Sequence, residues 1–213
     1  MDLPPLAPAS TPYGSDENGL ISGYRFVADQ GAQAIQSAEA LESISQAAQT
    51  GSAFVWLHFN LSHARAESWM QRHAGLPDDF FAALREGSRA SRIHRDENTV
   101  FAVINDVTFD FSFDAGDLAT LWVSVRPGLV VSARRHPLRG VDRLRAAVKR
   151  GERFESGIDL LDHLLRDQAD ELQAIVRKAS ERVDDIEDDL LARRADRGAA
   201  ELAQLRRLTV RLN

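Results

Sequence analysis

Residues 157–194 read GIDLLDHLLRDQADELQAIVRKASERVDDIEDDLLARR, and this stretch decides the fold. No Pro occurs in it and no Gly follows Gly157, so it predicts one uninterrupted helix from Gly157 to about Arg194. At about 1.5 Å per residue the helix would be about 55 Å long, so part of it must project from a domain of ordinary size. Apolar residues recur every seven positions, at Ile158, Leu165, Leu172, Ala179 and Ile186.

This apolar row needs covering. We expect the row Ile158/Leu165/Leu172 to pack on the globular domain, because it lies closest in sequence to the rest of the chain. We expect the distal part to meet other copies or the following helix, through Val183, Ile186, Leu190, Leu202 and Leu205. The helical pattern resumes at 202–212, and the sequence stops at Asn213 within it, without a stop signal. We therefore expect a truncated chain whose missing part continues this helix.

Composition excludes several classes of protein. With 213 residues, the chain is long enough for one domain plus an extension. Its net charge of −6 argues against a nucleic-acid partner, because phosphate binding needs a basic face. The absence of Cys excludes disulfides, thiolate metal sites and a cysteine nucleophile. No phosphate-binding glycine loop, nucleophile elbow or zincin histidine pair is present, so we predict that the protein is not an enzyme.

We divide the chain into a disordered tail (1–19), an α/β domain (20–156) and a long stalk helix followed by the start of a further helix (157–213). The tail is rich in Pro, Ser and Gly and lacks a signal-peptide pattern. In the domain, apolar runs predict strands at 22–28, 53–59, 99–113, 118–126 and 129–134, the last two forming a hairpin around Pro127-Gly128. Residues 88–98 are polar and are placed as a loop or strand entry.

Helices are predicted at 38–49, after Ser62 as a cap, from Pro77 as a first-turn residue, and at 141–150. Strands and helices are interspersed, yet a hairpin interrupts the alternation. The fold class is therefore α+β, with a mixed, partly antiparallel sheet covered by helices and followed by the projecting helix.

His163 is the best histidine candidate for a metal ligand. Asp159, His163 and Asp167 are spaced by four residues, so they share one helix face. An imidazole with two carboxylates suits zinc. The alternative is an ordinary solvated helix face. His58, in contrast, lies in an apolar run and is predicted to be a hydrogen-bonded core or sheet-face residue.

The second candidate is the run ERVDDIEDD at 181–189, in which six of nine residues are acidic. Its aspartates are Asp184, Asp185, Asp188 and Asp189. Carboxylates one turn apart repel each other, and divalent cations would relieve this repulsion. Several copies of the helix around an axis would concentrate cations. The alternative is a solvated face paired with Arg193, Arg194 and Arg197, and the sequence leaves both open.

Several stretches resemble a known family: FVWLHF at 54–59, Trp69 with GLP at 75–77, LWV at 121–123, SARRHP at 132–137, the long helix, and LAQLRRL at 202–208. In their order and spacing they resemble the cytoplasmic N-terminal domain of CorA-type divalent-cation transporters, specifically the zinc-transporter, ZntB-like branch. The resemblance spans about residues 20–213. One departure is SRIHR at 91–95, where that branch has an Arg-Pro-Arg-like stretch.

The resemblance implies a homopentamer at the cytoplasmic face of the inner membrane, joined to the membrane only through the missing C-terminal segment. Its cytoplasmic domains would form a funnel that concentrates zinc or magnesium ions and couples ion occupancy to pore gating. The family's Gly-Met-Asn signature is absent from this chain. The alternative is a soluble α/β adaptor or regulatory domain that oligomerises through its long helix.

Overall fold

The computed structural model describes residues 14–28, 30–87, 91–108, 118–191, 202–207 and 210. Its strands form a seven-stranded sheet in the order β2-β1-β3-β7-β6-β5-β4. Each neighbouring pair is antiparallel except β3 and β7, which are parallel. The predicted mixed, partly antiparallel sheet is therefore confirmed. The strands are β1 (Leu20–Val27), β2 (Gly31–Ile35), β3 (Ala53–Asn60), β4 (Arg92–Asp96), β5 (Thr99–Val107), β6 (Leu118–Arg126) and β7 (Leu129–Arg134).

Five helices cover the two faces of the sheet within the part of the chain that is described. They are α1 (Ser37–Thr50), α2 (Ala66–His73), α3 (Asp78–Glu86), α4 (Arg139–Lys149) and α5 (Gly157–Leu191). One core contains the apolar residues of α1, α2 and α3, and the other those of α4 and α5. Strand β3 serves both cores, because Val55 and Leu57 point into the first and Phe54 and Trp56 into the second. This explains why its sequence is apolar almost without interruption.

The predicted hairpin at Pro127-Gly128 joins β6 and β7 as expected. Leu129 pairs with Arg126, and Gly128 has a φ of 78°. That backbone conformation is open to glycine without steric cost, which is why the turn lies at this residue.

The two edge strands were not predicted. Every residue of β4 is exposed, so neither of its faces gives the apolar alternation by which a strand is recognised. Strand β2 is short and has no fully buried residue. Strand β5 ends at Val107 and Thr108 is not part of it, while the rest of the predicted extension, 109–113, lies outside the described residues.

Two predicted helix starts are also wrong. Helix α2 begins at Ala66 with Arg65 in the capping position, and Ser62 Oγ instead donates to the carbonyl oxygen of Arg135 at 3.3 Å. Pro77 occupies the capping position of α3 rather than its first turn. Part of the predicted disordered tail is ordered: Asp16 accepts hydrogen bonds from the backbone N–H groups of Leu20 and Ser37. These bonds fasten residues 14–19 to the domain.

Helix α5 runs from Gly157 to Leu191, which confirms one long uninterrupted helix over the described range. Of the predicted row, however, only Leu165 is seen packed on the domain, where it lies half-buried against the second core. Ile158 is 53% exposed and Leu172 is half-buried. The buried side chains of α5, among those described, are Leu160, Leu161, Leu164, Gln168, Ile175 and Ile186. The prediction was wrong because the true face contains a polar position that a search for apolar heptads passes over.

Among the described residues, no helix is both long and apolar enough to cross a lipid bilayer.

Candidate functional site

Polar side chains fasten the first half of α5 to the domain. The Glu171 carboxylate accepts hydrogen bonds from Arg139, at 2.8 Å, and from Arg143, both on α4. Gln168 donates from its side-chain amide to the carbonyl oxygen of Asn105 on β5. These contacts link α5 to both α4 and the sheet, so the helix has one defined register on the domain.

A buried carboxylate lies beneath this contact. Asp106, at the end of β5, is 4% exposed and accepts hydrogen bonds from the backbone N–H groups of Val107 at 2.8 Å and Gly140 at 2.9 Å. Burial raises the pKa of Asp106 to about 6, and the nearby Glu171 charge adds to this, while the two N–H donors and Arg143 oppose it. Asp106 is therefore a weaker acid than an exposed aspartate.

The predicted metal ligand His163 lies between two carboxylates. Its Nδ1 is 3.2 Å from Glu152 Oε1 and its Nε2 is 3.6 Å from Asp167 Oδ2. The ring also packs against Phe154 in a T-shaped arrangement, with 5.3 Å between ring centroids. The structure thus brings His163 and Asp167 together, as predicted, and adds Glu152 from the α4–α5 connection.

Asp159, the third member of the predicted face, is occupied elsewhere. Its Oδ2 accepts a hydrogen bond from the N–H of Glu155 at 3.0 Å, and its own N–H donates to Ser156 Oγ at 3.1 Å. Ser156 and Asp159 together cap the start of α5, in the Ser-x-x-acid pattern that marks helix starts. The metal face therefore reduces to His163 and its two carboxylate neighbours.

The two ring nitrogens of His163 face different carboxylates, so a single cation could be shared with only one of them. A neutral imidazole can donate from only one of its two ring nitrogens, so a neutral ring could donate to only one of these carboxylates. Among the described residues, no group of three or more His, Asp or Glu side chains is arranged to hold one metal ion. Any cation bound here would need water or a second chain to complete its ligands.

The acidic segment of α5 is open to solvent. Asp184, Asp185 and Asp188 are exposed, and within the described part of the chain they form no ion pair, whereas Ile186 between them is 2% exposed. The Asp189 side chain and the arginines at 193, 194 and 197 lie outside the described residues. In this segment of α5 the described carboxylates are therefore open to solvent, whereas Ile186 is buried.

His58 is a buried hydrogen-bonded residue, as predicted. Its Nδ1 is 2.8 Å from Ser132 Oγ, and its Nε2 accepts a hydrogen bond from Arg134 Nε at 3.2 Å. Ser132 Oγ also accepts one from Trp56 Nε1 at 2.9 Å. Burial, with the Arg134 and Arg145 charges, holds the pKa of His58 well below its usual range. The ring is therefore neutral, and both of its nitrogens are in use.

A cleft of about 790 Å³ lies at the end of the sheet where α5 begins. Its charged lining residues are two arginines and two glutamates: Arg95, Arg126, Glu97 and Glu155. These charges balance, and the rest of the lining is mainly apolar and small. This lining gives no particular ligand preference.

Sequence reasoning missed Asp106, Glu152 and Glu171. A signal existed for Glu171 and its neighbour Gln168, because they follow Leu164 at the spacing of the buried row that ends at Ile175. Polar residues at core positions indicate specific partners. No comparable signal existed for Glu152, which lies in a connection without periodicity.

Comparison with known proteins agrees with this geometry. A family model described as "CorA-like Mg2+ transporter protein" matches residues 51–213. The divalent cation transporter CmaX of Pseudomonas aeruginosa is 22% identical over 198 residues, which is 91% of this chain and 57% of CmaX. The chain thus spans less than two thirds of that relative.

Three solved structures share the fold. Full-length CmaX superposes with a TM-score of 0.72 at 20% identity, covering 91% of this chain and 61% of that one. The ZntB cytoplasmic domain from Vibrio parahaemolyticus gives 0.65 at 14% identity, with coverages of 89% and 74%. The soluble domain of CorA from Methanocaldococcus jannaschii gives 0.63 at 15%, with coverages of 90% and 73%. The sheet, its covering helices and the long helix are therefore the architecture of these domains.

Proposed function

This chain belongs to the CorA-like Mg2+ transporter family, and from that premise we propose that it is the cytoplasmic domain of a divalent-cation transporter for zinc or magnesium. The observation that supports this most is coverage. The chain accounts for 74% of the ZntB cytoplasmic domain and 73% of the CorA soluble domain, against 61% of full-length CmaX. The relatives are named as transporters, which favours a role without catalysis.

In this proposal the domain lies at the cytoplasmic face of the inner membrane and reaches the membrane only through a C-terminal segment outside this chain. Copies assemble as a homopentameric funnel. An assembly role for α5 is supported by Val176, which is 58% exposed on a helix whose other side is docked. The funnel concentrates cations and couples their occupancy to gating of the pore.

Two places on α5 would attract the cations. The exposed carboxylates of Asp184, Asp185 and Asp188, with Asp189 beside them in sequence, would bind weakly and with strong dependence on salt, because they offer charge without a rigid ligand shell. His163 with Asp167 would prefer zinc over magnesium, because imidazole is a poor ligand for magnesium.

Calorimetric titration of the whole chain with zinc and with magnesium tests this assignment. The Asp184→Asn/Asp188→Asn variant should lose most magnesium binding, and His163→Ala should lose the zinc preference alone. Glu42→Gln/Glu86→Gln is the matched control. Both side chains are exposed, and the two substitutions remove the same number of negative charges at positions far in sequence from the acidic segment. Flat titrations of the wild type, or identical losses in the control, would mean that these residues are only solvated.

The transport role is tested separately, by cation flux into liposomes that contain the whole gene product. We expect zinc or magnesium to enter, and the acidic-segment variant to change how flux depends on the cation concentration on the side of this domain. Reconstituted protein that moves neither ion would overturn the proposal. Sedimentation of the same preparation should give a pentamer. A monomer would contradict the homopentameric funnel.

A further inference from the structure

Three elements meet at Gly140, in the first turn of α4. A Cβ atom built on this glycine would lie 2.9 Å from Asp106 Oδ2 and 3.6 Å from Leu164 Cδ1. Asp106 belongs to β5 and Leu164 to α5. Side chains from the sheet and from α5 therefore pack directly against the backbone of α4 here, and the Asp106 carboxylate lies at the contact.

Only one of the two partners of this carboxylate depends on the three elements remaining together. One oxygen accepts from the N–H of its neighbour Val107, and the other from Gly140 on α4. Within the described residues it forms no ion pair. Separation of α4 and α5 from the sheet would remove the Gly140 bond and admit water to a group that is now 4% exposed.

The charged groups around Asp106 come from each element packed on it. Helix α5 supplies Glu171, and α4 supplies Arg139 and Arg143, which are paired with Glu171. On the sheet side, Asp106 pairs with Ala119 of β6, which is uncharged. The anionic form of Asp106 is therefore buried near a second carboxylate, whose charge the two arginines offset.

We propose that this junction is a proton-operated latch, in which proton binding to Asp106 holds α4 and α5 against the sheet and proton loss eases their separation. The latch is a property of the domain and holds whether or not the chain takes part in transport. A proton that binds more tightly to the closed junction than to the open one must stabilise the closed junction, by linkage.

The direction and size of the pH effect on opening of the junction follow from the pKa of Asp106 in the closed and open states. The pKa of Asp106 is raised from 3.8 to about 6 in the closed junction, by burial first. In an open, hydrated junction it returns to its ordinary value. Opening should therefore be about tenfold more frequent at pH 7.5 than at pH 5.0, and the dependence should vanish well above pH 6.

Amide hydrogen exchange of the whole chain tests the latch. Protection factors, corrected for the intrinsic effect of pH on exchange, are measured at pH 5.0 and 7.5 for residues 160–171 of α5. We expect about tenfold higher protection at pH 5.0 in the wild type and no such difference in Asp106→Asn. Asp170→Asn, which removes an exposed carboxylate on the same helix, is the matched control and should behave as the wild type.

Comparison of the variants removes the contribution of every other ionisable group that the wild type and the variants share. A wild type without the difference, or an Asp106→Asn variant that keeps it, would overturn the latch. If Asp106→Asn does not fold, Glu171→Gln replaces it. This change removes a negative charge that raises the pKa of Asp106 and releases Arg143 from its ion pair with Glu171. The pH at which protection is halfway between its low-pH and high-pH values must therefore decrease. If that pH does not change, the latch is overturned.

Discussion

The Oε1 atom of Glu171 on α5 lies 2.8 Å from Nη1 of Arg139 on α4, and the Glu171 side chain is only 13% exposed. A partly desolvated ion pair of this kind fixes geometry more than it adds stability, because removal of the charges from water offsets much of their attraction. Glu171 lies one helical turn beyond Gln168, which also bonds to the domain. Polar contacts therefore fix the position of α5 along the domain, and apolar contacts stabilise it there.

The apolar contribution to docking should come from Leu164. We expect Leu164→Ala to lower the free energy of unfolding by about 2–5 kcal/mol, because its side chain is 5% exposed in the second core. Leu172→Ala, at a half-buried position on the same helix, is the control and should cost clearly less. Urea denaturation followed by circular dichroism measures both. If both variants lost the same free energy of unfolding, Leu172 would be part of the docking face, as the heptad pattern predicted.

Gly140 should tolerate no side chain. Gly140→Ala places a methyl group 2.9 Å from Asp106 Oδ2, so we expect a loss of about 1–3 kcal/mol in spite of alanine's better helix propensity. A double-mutant cycle with Asp106→Ala supplies the control, since removal of the carboxylate should relieve much of the clash. Additive losses in thermal unfolding would show that the close approach is not the cause.

The neutral His58 should make the domain sensitive to acid. Its folded-state pKa lies well below the usual 6.5, so its contribution to stability is present above pH 6.5 and is lost as the pH falls below it. Denaturation midpoints measured from pH 7.5 to 5.0 should therefore decline less in His58→Gln than in the wild type. Between about pH 6 and 4, protonation of Asp106 raises stability as the pH falls, which opposes the effect of His58. The effect of His58→Gln must therefore be measured both with Asp106 present and in the Asp106→Asn variant. An unchanged decline in His58→Gln would contradict the neutral ring.

The β4–β5 turn should gain from a glycine. Glu97 has a φ of 43°, a left-handed conformation that costs a residue with a side chain about 1–2 kcal/mol. Glu97→Gly should raise the free energy of unfolding by about 1 kcal/mol or less, since the more flexible unfolded chain offsets part of the gain. Asn98→Gly, at the next position of the same turn, is the control and should give no gain. A stability loss in Glu97→Gly would show that the turn is not strained.

The sequence predicted the elements that have an apolar signature. Long α5, the β6–β7 hairpin and the buried strand β3 were found because each shows its period or its unbroken apolar run. The edge strands β2 and β4 were missed because exposure on an edge removes that signal. The docking face of α5 was misplaced for a related reason, since Gln168 and Glu171 interrupt it and a heptad search favours the uninterrupted row through Leu165.

The candidate site was predicted in part. His163 and Asp167 were paired correctly, because spacing of four on a helix fixes their distance. Glu152 could not be found, since it reaches His163 from a connection whose path depends on the packing of α4. Asp106 was hidden for the same reason, because the environment that perturbs it comes from two helices distant in sequence. Metal binding by the six predicted residues stays a prediction.

The parallel pairing of β3 with β7 has a consequence for synthesis of the protein. Strands β2, β1 and β3 can pair as they leave the ribosome, and β4 to β7 can pair among themselves, but His58 meets Ser132 only after 74 further residues have been made. Until then the apolar edge of β3 is unpaired. The nascent chain therefore has a period in which another strand can take the place of β7, and chaperone dependence and misassembly should concentrate in that interval.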